Sequence, residues 1–172
     1  MHTQIKTIPS VRHAIPTGLN NQSFCFAKCF SLGDEKDTNV SSRSKDLFDL
    51  FLPVANCKCD MPKAFYFFDI PEQQVDMALT FINTAPEVED RAWYCRVPIK
   101  LVGHLKNLQK HGERGTLLTD GNSNFFLCRN HEKQLALIEL KFIGSSWSVN
   151  SLPWQGDSVL EGPCRFFVAC RK

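Results

Sequence analysis

The sequence predicts one α+β domain in which N-terminal helices pack on a C-terminal antiparallel sheet. Its 172 residues are about the length of a single domain. Hydrophobic residues make up 43% and charged residues 22%, proportions that are typical of a globular protein. Helix-like periodicity dominates the first two thirds of the chain, whereas short apolar runs bounded by turns dominate the last third. We therefore expect an extended arm over residues 1–22 and one domain over residues 23–172.

Four helices are predicted from their end signals and apolar stripes. Ser23 and Ser44 are suited to begin two of them, because a serine hydroxyl satisfies free N–H groups at a helix start. Pro53 should bend or end the second helix, and Gly112 should end the fourth. The predicted helices span residues 23–30, residues from 44 onward, residues from 71 onward and residues 99–111. Residues 33–46 are almost wholly polar and are predicted to form a surface loop.

Six strands are predicted, and most of them lie in the last third of the chain. Ile138 and Leu140 alternate with Glu139 and Lys141, a pattern that predicts a strand with one buried face. The predicted strands span residues 64–70, 92–97, 124–128, 135–142, 147–152 and 165–170. Since helices come first and an antiparallel sheet second, the order is that of an α+β fold.

The charge balance excludes some classes of protein. Twenty Lys and Arg face eighteen Asp and Glu, a net charge of +2, so we expect no nucleic-acid partner. The basic row Lys106, Lys110 and Arg114 is accordingly interpreted as the solvated face of a helix. No run approaches the ~18 apolar residues of a membrane span, so no membrane partner is expected either. The charged, proline-containing start does not resemble a signal peptide, which predicts a cytoplasmic protein. We also expect a monomer. Export into another cell by a route without such a signal stays open.

Eight cysteines are many for a chain of this kind. Without a signal peptide, we expect their thiols to be reduced. Zinc held by Cys25-x3-Cys29 and Cys57-Lys-Cys59 is a weaker alternative, because one intervening residue is tight for two ligands of a single ion. Disulfides of Cys164 and Cys170 also stay open. We expect no cofactor and no metal.

Three residue types are spaced as in a thiol nucleophile site. Cys25 lies at a predicted helix start, where the helix dipole favours the thiolate. His131 lies in the turn before a strand and Asn150 on the following strand, as expected of a general base and the residue that orients it. A backbone N–H near Cys25 or one of the upstream amides of Asn20, Asn21 and Gln22 is a candidate oxyanion donor. The alternative is a small buried thiol, a solvated turn histidine and an asparagine that ends a strand.

Several short segments carry a resemblance to a known family. They are Ser23-Phe24-Cys25 with Cys29 and upstream Asn20, Phe67-Phe68-Asp-Ile70, Phe126-Leu127-Cys128, Trp147-Ser-Val-Asn150-Ser151-Leu152, and Phe166-Phe167-Val168. In this order they resemble the Josephin family, deubiquitinating cysteine proteases of papain-like fold. The resemblance implies a hydrolase with Cys25 as nucleophile, His131 as base and Asn150 as the third catalytic residue. It also implies a protein substrate, ubiquitin or a ubiquitin-like protein.

One position departs from the family pattern. In the family the histidine immediately precedes its strand, whereas Lys133 and Gln134 occupy those places here and His131 comes earlier. The departure leaves open a non-catalytic protein-interaction domain on the same or a different α+β scaffold. A protein deamidase that uses the same three residues is a further alternative. The distance between Cys25 and His131 distinguishes the catalytic hypothesis from the non-catalytic one.

Overall fold

The fold is seen in a computed structural model that describes residues 12–16, 26–32, 39–55, 64–70, 99–132, 134–153 and 163–170. These residues form seven strands: β1 Arg12–Pro16, β2 Val40–Arg43, β3 Ala64–Ile70, β4 Ser123–Arg129, β5 Leu135–Ile143, β6 Ser146–Pro153 and β7 Cys164–Cys170. They also form three helices: α1 Phe26–Phe30, α2 Leu47–Ala55 and α3 Ile99–Leu108. Helices and a sheet together confirm the α+β prediction at this coarser level. In the described part of the chain, no helix is both long and apolar enough to cross a membrane.

All seven strands belong to one sheet, in the order β1-β3-β7-β4-β5-β6-β2. β4, β5 and β6 form an antiparallel meander, as their close succession in the sequence favours. β7 pairs antiparallel with β3 but parallel with β4, and β2 pairs parallel with β6. The sheet is therefore mixed and draws strands from both halves of the chain, whereas the sequence predicted a C-terminal antiparallel sheet.

The main core lies between the three helices and one face of the sheet. Ile138 and Leu140 of β5 and Val149 of β6 are fully buried in it, which confirms the predicted apolar face. The largest buried side chains of this core are Trp147, Phe26, Phe30, Phe51, Phe126 and Phe167. Side chains of a strand alternate between faces, so Glu139 and its neighbour Asn150 on β6 lie on the opposite face.

The predicted second helix is confirmed as α2, which continues through Pro53 to Ala55. Ser44 precedes it, and its carbonyl oxygen accepts a hydrogen bond from the Leu47 N–H at 3.3 Å. The Ser44 hydroxyl bonds to the sheet, because it accepts from the Ser151 N–H at 2.8 Å. The hydroxyl that was predicted to cap the helix thus ties the start of α2 to β6.

Two segments differ from the sequence prediction. The predicted surface loop over residues 33–46 contains β2, an edge strand whose Ser41 and Ser42 are exposed. Within the predicted N-terminal arm, Arg12–Pro16 pairs with β3 and forms the opposite edge of the sheet. The predicted helix from residue 71 and the predicted strand over residues 92–97 lie outside the described residues.

Helix α3 ends at Leu108, earlier than the predicted end at residue 111, and Gly112 lies beyond it after a turn, with a left-handed φ of 79°. The interpretation of Lys106 as part of a solvated face was wrong, because its side chain is 0% exposed. Burial lowers the pKa of Lys106 to about 8, while the nearby Cys29 raises it and Lys110 lowers it further. Arg114 lies beyond the helix, so the three basic residues do not share a helix face.

Candidate active site

His131 lies in the turn between β4 and β5, and α2 fixes its position. Its backbone N–H donates to the carbonyl oxygen of Leu50 at 3.0 Å, and its ring Nδ1 lies 3.1 Å from the same oxygen. Since a carbonyl oxygen only accepts, the ring hydrogen bond requires the proton on Nδ1. The neutral ring then carries its lone pair on Nε2, which lies 4.0 Å from the carboxylate of Glu132. The side chain is 39% exposed, so solvent or a substrate reaches the ring.

The same helix also packs against α1. Phe26, the first described residue of α1, is 2% exposed, and its ring centroid lies 5.0 Å from that of Phe48 on α2 in an edge-to-face contact. Such aromatic pairs add to the stabilisation that burial alone provides. α2 therefore contacts Phe26 of α1 through the Phe48 ring and His131 through the Leu50 carbonyl.

Asn150 binds a different partner. Its amide Nδ2 donates to Glu139 Oε2 at 3.0 Å, and Ser123 Oγ donates to the other carboxylate oxygen at 2.6 Å. This cluster lies on the sheet face opposite the helices. Among the described residues, no hydrogen bond joins His131 to Asn150, so the structure does not bring the predicted base and its predicted orienting residue together.

The structure describes the side chains of three cysteines, and two of them are unsuited to be nucleophiles. Cys29, Cys128 and Cys164 form no disulfide and are buried. Burial raises the pKa of the Cys164 thiol to about 12, with Asp69 and Glu139 adding to it, and burial raises that of Cys128 further. Cys29 Sγ accepts a hydrogen bond from Asn107 Nδ2 at 3.2 Å. Cys128 and Cys164 therefore stay protonated and unreactive at neutral pH.

Cys25 and Asn20, the predicted nucleophile and oxyanion donor, lie outside the described residues, as do Cys57 and Cys59. Within the ranges that the structure describes, no group of three or more His, Cys, Asp or Glu side chains is arranged to hold a metal ion. Comparisons of the chain with protein-family models, with curated proteins and with solved structures found no match.

The sequence pattern missed two features of this site. A backbone carbonyl has no signature in a sequence. The sequence therefore could not predict the contact between Leu50 and His131, which are 81 residues apart. The role of Glu139 had a signal, because it is the one acidic residue in the apolar run of β5. A charged residue in such a run requires polar partners on the neighbouring strands, and Ser123 and Asn150 provide them.

Proposed function

We propose that the protein is a cysteine-dependent hydrolase that acts on a protein substrate, ubiquitin or a ubiquitin-like protein. The observation that carries the proposal is the hydrogen bond from His131 Nδ1 to the Leu50 carbonyl on α2, the helix that also contacts Phe26 of α1. Cys25 immediately precedes Phe26 in the sequence. Nucleophilic catalysis requires a base held in one tautomer, and the helix that holds this base also packs against the residue that follows the thiol.

The reaction uses His131 Nε2 and Cys25 Sγ in succession. His131 Nε2 accepts the thiol proton, and Cys25 Sγ forms a bond to the carbonyl carbon of the scissile amide. The imidazolium returns the proton to the leaving amine as the C–N bond breaks, and water then hydrolyses the thioester. The Asn20 amide and the Cys25 N–H stabilise the oxyanion, as the Josephin resemblance implies.

The role of the third catalytic residue falls to a backbone group. In a Cys-His-Asn site, the asparagine fixes the orientation of the ring. Here the Leu50 carbonyl holds the ring nitrogen, and the Asn150 amide is already bonded to Glu139. We therefore assign the site as a Cys25–His131 pair, with Leu50 as a positioning residue that acts through its main chain.

A ubiquitin probe with an electrophilic C-terminus tests this function. We expect one covalent adduct on the wild-type protein by intact-mass spectrometry, and none on Cys25→Ala. Cys29→Ala is the matched control, because this buried thiol lies four residues further along the same segment, and it should label like the wild type. An unlabelled wild-type protein, or equal labelling of Cys25→Ala, would contradict the deubiquitinase proposal.

The position of Asn150 favours a second candidate, a non-catalytic protein-interaction domain. Its amide is bonded to Glu139 on the face away from α1, α2 and α3, so the complete Cys-His-Asn triad is not assembled. An interaction domain would bind unmodified ubiquitin or another protein with equal affinity in the wild type and Cys25→Ala, and would give no adduct with the probe. Adduct formation with the probe separates the two functions: an interaction domain would bind unmodified ubiquitin in calorimetry and form no adduct, whereas the hydrolase forms one through Cys25.

A further inference from the structure

Asn130 is a buried residue at the base of the turn that carries His131. It lies between the end of β4 and His131 and is 4% exposed. Its backbone N–H donates to the Gln134 carbonyl oxygen at 3.0 Å, which closes the turn between β4 and β5. A buried polar side chain needs partners of its own, so the contacts of the Asn130 amide indicate what the residue does.

The Asn130 side chain adds to this connection with Gln134. Its Oδ1 accepts a hydrogen bond from the Gln134 N–H at 3.0 Å, and its Nδ2 donates to Gln134 Oε1 at 3.3 Å. Because a backbone N–H only donates, the Asn130 atom that meets it must be the oxygen, which fixes the orientation of the amide. Three hydrogen bonds between the two residues therefore close the turn.

The conformation of this turn determines where the His131 ring lies. His131 directly follows Asn130, and its backbone N–H and ring Nδ1 both meet the Leu50 carbonyl oxygen, at 3.0 and 3.1 Å. Two contacts with one oxygen require the main chain of His131 to have one direction relative to α2, because hydrogen bonds weaken when their angles change. A rotation of the turn would move the ring away from the Leu50 oxygen, and the proton would no longer be held on Nδ1.

We infer that Asn130 is a positioning residue that sets the tautomer and orientation of His131. Its Oδ1 holds the Gln134 N–H, and this bond keeps the turn in the conformation in which His131 Nδ1 donates to Leu50 and Nε2 is the basic nitrogen. The consequence for catalysis rests on the proposed function. The consequence for the ring does not involve Cys25.

Heteronuclear NMR of the imidazole nitrogens tests the inference, because their chemical shifts show which nitrogen of a neutral ring carries the proton. The signals of His131 are those that are missing from His131→Ala. In the wild type we expect the proton on Nδ1, and in Asn130→Ala a mixture of the two tautomers. Asn130→Asp retains the Oδ1 acceptor and should keep the wild-type tautomer.

Two further variants control for a general loss of stability. Gln134→Ala removes only the exposed acceptor of the 3.3 Å bond and keeps the Gln134 N–H, so the tautomer should not change. Asn124→Ala removes another buried asparagine of β4, which bonds to both main-chain groups of Leu118, and should lower the melting temperature without an effect on the His131 ring. An unchanged tautomer in Asn130→Ala, or the same change in Asn124→Ala, would overturn the inference.

Labelling with the electrophilic ubiquitin probe connects the inference to the reaction. Asn130→Ala should lower the maximal rate of adduct formation by about 10- to 100-fold and leave the half-saturating probe concentration unchanged, since a misplaced base slows the chemistry and not the binding. A wild type that forms no adduct, together with a changed tautomer in Asn130→Ala, would contradict the proposed function and support the positioning role. Equally fast labelling of the wild type and Asn130→Ala would overturn the positioning role and leave the proposed function intact.

Discussion

At the scale of the residue, the orientation of His131 depends on one backbone oxygen. The Leu50 carbonyl accepts from both the main chain and the ring of His131. Because every residue type has a carbonyl, the shape of α2 sets the ring orientation, and the identity of the side chain at position 50 contributes only through packing.

Substitution of Asn150 tests whether the Leu50 carbonyl or, as the sequence predicts, Asn150 orients the His131 ring. Asn150→Ala should label with the ubiquitin probe at a rate within about threefold of the wild type, because its amide bonds to Glu139 and not to the imidazole. His131→Ala should label about 100-fold more slowly or worse, since it removes the base. Initial rates of adduct formation provide the measurement, with circular dichroism to verify folding. A loss in Asn150→Ala as deep as that in His131→Ala would restore the role that the sequence pattern assigns to Asn150.

The free energy of unfolding should increase as the pH rises, because the buried Lys106 loses its charge. Burial holds its folded-state pKa at about 8 instead of 10.5. Between these values the unfolded chain binds more protons than the folded one, so the free energy of unfolding increases with pH. The difference between the two pKa values means that keeping Lys106 charged in the folded state costs about 3 kcal/mol. This cost applies in full below pH 8 and disappears by pH 10.5.

Urea unfolding of the wild type and Lys106→Met between pH 7 and 10 measures this effect. We expect the variant to be the more stable protein at pH 7 and the difference between them to shrink as the pH rises. Lys100→Met is the control, because Lys100 is a half-buried lysine on the same helix. It should follow the wild-type pH profile. Parallel profiles for the wild type and Lys106→Met would contradict the prediction.

At the scale of the element, the connection from α3 to β4 is held by side chains that bond to main-chain groups. Gln109 Oε1 accepts from the Leu117 N–H at 2.7 Å, and its Nε2 donates to the Leu117 carbonyl at 3.0 Å. The Gln109 carbonyl in turn accepts from the indole of Trp147 at 3.0 Å. Asn124 bonds similarly to both main-chain groups of Leu118. An irregular segment is thereby fixed to the core without belonging to the sheet.

Gly112 is the position of this connection that least tolerates a side chain. A Cβ atom there would lie 2.3 Å from the ring of Phe142, and the φ of 79° disfavours any other residue. Gly112→Ala should therefore lower the free energy of unfolding by about 2–4 kcal/mol. Gly144→Ala is the matched control, because its φ is 66° but nothing lies within 4 Å of the added atom, and it should cost only about 1–2 kcal/mol. Equal losses in the two variants, measured by denaturant unfolding, would show that contact with Phe142 is unimportant.

The elements differ in how far the sequence predicts them. β4 to β7 are predicted within one or two residues, because their apolar alternation reflects burial on the sheet. β2 is not predicted, since Ser41 and Ser42 are exposed and its formation depends on pairing with β6 about a hundred residues later. The same distinction applies to the candidate site. The local sequence pattern predicts the turn that carries His131, whereas the contact of His131 with Leu50 depends on how α2 packs.

At the scale of the whole molecule, β7 joins two parts of the sheet. It pairs with β3 over seven residues, from Ile70 opposite Cys164 to Ala64 opposite Cys170, and with β4 on its other side. Its Phe166 and Phe167 are fully buried, on opposite faces of the sheet. Without β7, β1 and β3 lose their described connection to the other four strands.

Removal of residues 163–172 should therefore abolish cooperative folding. Both β3 and β4 would lose a neighbouring strand, and the core would lose Phe167. We expect weak near-ultraviolet circular dichroism and no sigmoidal urea transition in the shortened protein. Removal of residues 1–11 leaves every described strand in place and should preserve the transition. A cooperative transition after removal of residues 163–172 would mean that the remaining six strands are sufficient for a stable fold.

The central place of β7 also bears on the order in which the protein is made. Ribosomes release β3 early and its partner β7 about a hundred residues later, which at usual elongation rates is a delay of roughly 5–20 s. During that interval the nascent chain exposes an apolar strand edge that no later segment has yet covered. Codon choice across the intervening stretch and the presence of ribosome-associated chaperones should thus influence the yield of folded protein without altering a single contact in it.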